Sequence, residues 1–253
     1  VDSGTHSDST TTAATLTMTG GKFVVNSGST DISIGIVDSQ FGNERRNYTL
    51  DLTGLNEFEA TTTGTFYLSP GGRDDADLIL AATSTITADA VSLGGWNSTP
   101  TMKLGETTFI HADTITLGGN LPSAAGNANG GQSEISFQSG LTAPVLTIRD
   151  LAGTGRADLI VGMGGTQNTA NTGTLDLTGG TVDALLDEVF LGDATNRAGG
   201  IGILTFEAGT LDATSLSVGR TSEVGTDHLG TGTLNQNGGT LTVGTLILAD
   251  EQA

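Results

Sequence analysis

The sequence predicts an all-β fold, a right-handed parallel β-helix, and three observations predict it. The first is a repeat: GTLDLTGGTVDA at 173–184 returns as GILTFEAGTLDA at 202–213 and as GTLNQNGGTLTV at 232–243. The second is alternation of apolar and polar residues in short runs, the period of a strand with one buried face. The third is composition. With 39 glycines among 253 residues, abundant threonine and 4% aromatics, the chain suits many short strands and tight turns, not helices or a wide core.

Each repeat unit holds three runs. The opening run alternates, as in Leu16 and Met18, Leu50 and Leu52, Leu78 and Leu80, Met102 and Leu104. It recurs at Ile135 and Phe137, Leu175 and Leu177, Leu204 and Phe206, and Leu234. The middle run follows a turn of small residues: Phe23 and Val25, Phe58 and Ala60, Ile86 and Ala88, Ile110 and Ala112, Leu141 and Ala143. Its later copies are Val182 and Ala184, Leu211 and Ala213, Leu241 and Val243. The closing run is apolar-x-apolar and then glycine, at Ile32–Gly35, Val91–Gly94, Ile115–Gly118, Val189–Gly192 and Leu216–Gly219, with looser copies at Phe66–Ser69 and Leu246–Ala249.

Strands this short form no stable sheet alone, but stacked they bury a continuous core. The expected columns run Leu175 on Leu204 on Leu234, spaced about 4.8 Å apart. About eight coils of roughly 24–40 residues make a rod about 40 Å long, and parallel crossovers favour the right hand. The expected organisation is a polar leader, 1–13, which is a candidate assembly arm, followed by a single β-helix domain, 14–253. One stretch has two parses. LTIRDL at 146–151 reads as a third strand with ADLIVG at 157–162 inserted, or ADLIVG opens a further, incomplete coil. Gln236 falls at an inward position in the last copy, where an unpartnered amide costs about 1–3 kcal/mol.

The net charge is −19, with 28 acidic against 9 basic side chains. That balance disfavours nucleic acid and anionic membrane surfaces, and no apolar run approaches the ~20 residues of a membrane span. A start at Val1 and a polar leader suggest an exported protein whose signal has been removed.

Segments of variable length fall between the closing run of one unit and the opening run of the next, at 38–48, 70–77, 120–132 and 220–232. Arg45, Arg46, Arg73, Arg197 and Arg220 lie at this corner. Insertions on one edge of a solenoid mark a candidate binding edge, though loops also simply tolerate charge. Arg45, Arg46, Arg73 and the lone Trp96, which suits stacking on a sugar ring, are the ligand-binding candidates of an adhesin or glycan-binding module. Asp74, Asp75 and Asp77, beside Gly71 and Gly72, offer oxygen ligands for Ca²⁺. Their spacing matches no calcium loop and reads more simply as a solvated turn. No other cofactor is implied. His6, His111 and His228 accompany no nucleophile–base or HExxH pattern and read as surface histidines.

The outward residues Thr174, Asp176, Thr178, Thr205, Glu207, Thr233, Asn235 and Asn237 make a polar wall without a catalytic cluster. That argues against a polysaccharide lyase or hydrolase and identifies no catalytic residue. A threonine array for ice binding starts at Thr15, Thr17 and Thr19 but is broken by Asp51, Ile79, Lys103 and Glu134.

The GTLxxxGGTLxxxxLxLG pattern resembles the repeats of large bacterial secreted β-helix proteins, the autotransporter passenger domains and PEP-CTERM-type exported proteins. The likeness is clearest over Leu159–Ala253 and thinner over Ala14–Gly140. It implies a surface-exposed or extracellular role and carries no catalytic residues across. The expectation is an extracellular structural rod, not an enzyme, whose partner is another copy of itself. Leu204→Asp, a charge in the expected central column, should lower stability by several kcal/mol, and Thr205→Asp on the outer wall by less than about 1 kcal/mol. Equal damage in denaturant titrations would reverse the inward and outward assignment.

Overall fold

A computed structural model describes residues 12–35, 46–71, 74–95, 97–119, 130–164, 170–194, 199–221 and 229–251. In chain order the strands are β1 (Thr12–Thr19), β2 (Lys22–Gly28), β3 (Ile32–Ile34), β4 (Arg46–Gly54), β5 (Glu57–Thr62) and β6 (Thr65–Leu68). Then come β7 (Asp74–Ile79), β8 (Thr83–Leu93), β9 (Thr101–Leu104), β10 (Thr107–Leu117), β11 (Gln132–Phe137), β12 (Val145–Arg149) and β13 (Ala157–Met163). The chain continues with β14 (Asn171–Leu177), β15 (Thr181–Ala194), β16 (Gly200–Phe206), β17 (Gly209–Thr221), β18 (Thr231–Gln236) and β19 (Thr240–Glu251).

These 19 strands form two parallel sheets, with no helix among the described residues. The first sheet runs β1-β4-β7-β9-β11-β14-β16-β18, and the second runs β2-β5-β8-β10-β12-β15-β17-β19 with β3, β6 and β13 paired beside that path. Each strand bonds to its equivalent one repeat away, the pairing expected of a parallel β-helix. Leu175 pairs with Leu204 and Leu204 with Leu234, as the repeats predict. Inward residues of both sheets meet in one narrow core that includes Leu78, Leu80, Ile86, Val91, Met102, Leu104, Leu159 and Leu191, all fully buried.

The middle and closing runs are not separate strands in most repeats. β8, β10, β15, β17 and β19 each carry both, and the burial of β8 and β10 alternates, slips by one residue at Asp89 and Asp113, then resumes. The 141–174 stretch follows neither parse. Leu141 and Ala143 lie in an irregular connection, and the middle run is β12, with Leu146 and Ile148 buried. β12 pairs with the first half of β10, and β13 with its second half, so ADLIVG is the closing run of the same repeat. Residues 150–156 replace the corner. The Asp150 carboxylate accepts the Thr154 and Gly155 amides, and Asp113 accepts the Leu151 amide.

Two registers also differ from the sequence reading. Phe58 stands over Ser84 and Ala60 over Ile86, while Val182 stands over Gly209 and Ala184 over Leu211. The inward column is therefore Phe58, Ser84, Thr108, Leu146, Val182, Gly209. Its polar members are tolerated because turn backbone satisfies them: Ser84 donates to the Ala81 carbonyl, and Thr108 accepts the Gly105 amide.

The corner after the closing run repeats one conformation. Gly35, Ser69, Gly94, Gly118, Gly162, Gly192, Gly219 and Ala249 all have positive φ, between 54° and 113°. The next first-sheet strand approaches this corner closely. A Cβ on Gly192 would strike the Thr231 carbonyl, and one on Gly202 would strike the Val161 carbonyl. The glycine of each GTL-type motif is thus a place where two backbones meet without side chains.

Ser69 holds φ 56° with a buried hydroxyl that has no partner among the described residues. Positive φ costs a non-glycine about 1–2 kcal/mol, and an unsatisfied buried hydroxyl about 1–3. Ser69→Gly relieves both, against glycine's entropic cost of about 0.5–1 kcal/mol. Its unfolding midpoint should rise by the equivalent of about 1–4 kcal/mol. Ser69→Ala, which keeps the strained backbone, should gain less, and a fall for Ser69→Gly would contradict this account of the corner.

Candidate functional site: outer walls and open ends

Among the described residues, the outer-wall cations Lys22, Lys103, Arg149 and Arg156 all pair with acids of neighbouring repeats. Lys22 lies 3.1 Å from Glu57 and 2.6 Å from Glu59, and Lys103 lies 2.7 Å from Glu134. Arg149 pairs with Asp183 at 2.8 Å and Arg156 with Asp212 at 3.0 Å. Arg156 also donates to the Leu186 and Asp212 carbonyls, tying together elements 30 and 56 residues away. Such exposed pairs are each worth under about 1 kcal/mol and mainly fix which strands lie side by side. Lys103, followed by Ser136, holds the Glu134 carboxyl below the usual carboxylate range.

Arg220 differs because its acid is buried. Asp193 is 1% exposed and takes two bonds from Arg220, Nε to Oδ1 at 3.1 Å and Nη2 to Oδ2 at 3.0 Å, while the guanidinium stacks 3.7 Å from the Phe190 ring. This forked contact is the strong geometry for a carboxylate. Arg220 thus ties β17 to β15 across one repeat. Arg46, the first residue of β4, is also buried, and Arg45, Arg73 and Trp96 lie outside the described residues.

The aspartates suggested for Ca²⁺ sit in β7. Asp75 Oδ1 accepts the Thr99 amide at 2.9 Å and hydroxyl at 2.7 Å, and Asp77 Oδ1 accepts the Thr101 hydroxyl at 2.5 Å. Both carboxylates therefore engage the next repeat, and Asp74 is the first residue of the same strand. Among the described residues no three His, Asp or Glu side chains converge. His111 does point outward, yet it is half-buried, with Phe109 beside it (6.0 Å between ring centroids) and Gly153 of the 150–156 connection against it. Burial, then the nearby Arg149 charge, pushes its pKa down, and Asp150 opposes them.

Most of the exposed large apolar side chains among the described residues lie at the ends of the stack, with Ile201 of β16 as the exception. Leu246 is 59% exposed, Leu248 69% and Leu229 63% at one end, and Leu16 is 56% exposed at the other. Gln236 meets the expected cost by staying exposed and donating to the Gly239 carbonyl at 3.3 Å. A cleft of about 320 Å³ lies between Val218, Gly219, Leu229, Gly232 and Ala249 at the C-terminal end. Another of about 280 Å³ lies between Ala14, Leu16, Ile34, Gly35 and Tyr48 at the N-terminal end. Repeats 30 residues apart made the apolar columns visible in the sequence. The cation clamps were missed, although oppositely charged outward residues one repeat apart, such as Lys22 and Glu57, were the available signal.

Comparison of the chain with protein families, with curated proteins and with solved structures finds no match.

Replacing Arg220 with alanine leaves the Asp193 carboxylate buried without its cation, and stability should drop by about 3–5 kcal/mol. D193A/R220A should lose less than the sum of the two single changes. Additive losses in a double-mutant cycle would mean that the pair is not coupled.

Proposed function

We propose that this chain is an extracellular or cell-surface structural protein, a right-handed β-helical rod of about eight coils that joins end to end with copies of itself. The observation that carries this reading is the exposure of Leu246 and Leu248 at one end and Leu16 at the other, in the columns that interior repeats bury. Among the described residues, β18 and β19 are the outermost strands at one end and β1, β2 and β3 at the other, each with one strand edge that no described strand pairs. Such edges are templates for further pairing. The two ends differ, so their contact is heterologous, and a heterologous contact that does not close grows into a fibre. The likeness to bacterial secreted repeats supports a location outside the cell, and the committed outer-wall cations support a scaffold over a catalyst. No cofactor is assigned.

The charge of −19 per copy opposes association, so added salt should favour growth. Negative-stain electron microscopy and sedimentation over rising protein and salt concentration should show rods lengthening in whole units. Leu248→Asp should stop growth while leaving the unfolding midpoint within about 1 kcal/mol, as for an exposed position. Single particles of one length under every condition would overturn the reading.

A further inference from the structure

The two end clefts specify how one copy would seat on the next, an inference that rests on the end-to-end reading. We infer that β1 of one copy lies in the cleft beside Ala249 of another, in the same register as the interior strands. Ala14 then follows Gly232, Leu16 follows Leu234, and Met18 follows Gln236. In the second sheet Ile32 follows Leu246 and Ile34 follows Leu248.

Three observations select this seating. First, interior crossovers in the C-terminal half share one contact, in which the positive-φ corner meets a first-sheet glycine: Gly162 lies against Gly173, Gly192 against Gly202, and Gly219 against Gly232. Ala249 carries the same conformation, φ 54°, into the end face. Second, Ala249 has a Cβ, so the residue set against it must be small. Inward residues stay inward only for slips of two. A slip of two in one direction brings Leu16 against Ala249, and in the other it brings Thr12. Only the unshifted register brings Ala14. Third, the clefts are complementary in position. The C-terminal one opens beside β18 and Ala249, where a further first-sheet strand belongs. The N-terminal one opens beside Ile34 and Gly35, where the end of a second-sheet strand belongs. Leu248 enters the second as Ala14 enters the first.

The chain has no cysteine, so introduced pairs report the register directly. Thr15 and Thr233 are exposed outward residues at opposite ends of the eight-stranded sheet, about 34 Å apart in one copy at ~4.8 Å per strand. They join only between copies, at the ~5 Å Cα separation that a disulfide accepts. The double variant T15C/T233C, oxidised under conditions that give long rods, should yield a ladder of linked species on a non-reducing gel. The shifted pair T17C/T233C should yield at least ten-fold less, and both variants should keep the wild-type unfolding midpoint. Preferential linking of the shifted pair, or rods in which neither pair links, would overturn the seating and leave end-to-end growth standing. Absence of both rods and links would overturn the two together.

Discussion

Vertical registry is the constraint on which everything else depends. In a parallel stack each inward side chain has a counterpart directly above and another directly below, so its size and polarity are judged against two neighbours. A strand that slipped by one residue would turn its whole apolar set outward. Leu175, Leu204 and Leu234 satisfy this condition simply, leucine on leucine. Where a column narrows to Ser84 or Thr108 the turn backbone bonds the hydroxyl, and at Gly209 the Val182 backbone fills the space a side chain would take. Charge reinforces the same registry from outside, because each described ion pair joins residues of different repeats.

Much of the fold was legible because the repeat is direct. Alternation marked the strands, and the glycine after the closing run marked the corner, including the looser copies at Ser69 and Ala249, which adopt the same positive φ. Hydrophobicity alone does not mark every inward position of the stack. Matching Phe58 to Ile86 and Val182 to Leu211 maximised apolar overlap and slipped the alignment by two residues. The backbone instead places Ser84 and Gly209 in those columns. Residues 141–174 failed for another reason. Leu141 and Ala143 alternate like a strand, but the connection from Phe137 to Val145 is longer than its equivalents, and the second loop at 150–156 splits a strand that most other repeats keep whole.

The candidate site was less legible. A cation and its acid can be 56 residues apart in the chain, as Arg156 and Asp212 are, and still touch. Nothing local marks such a pair until the strand order is known. The end faces could not be read at all from residue type, since Leu246 and Leu248 fit the same pattern as Leu216 and Val218. Exposure alone separates them. The corner arginines were legible as a cluster in sequence, but cluster and availability are different properties, and the Asp193–Arg220 contact shows a guanidinium already committed within the stack.

The shared corner has a consequence for how such a chain changes over generations. Because each repeat leaves the second sheet through the same backbone bend and enters the first at the same place, neighbouring repeats meet through equivalent joints. A duplicated or deleted repeat would present its neighbours with a joint they already accept. Length can therefore drift by recombination while the cross-section is conserved, and sequence divergence gathers in the segments that the bend isolates from the columns.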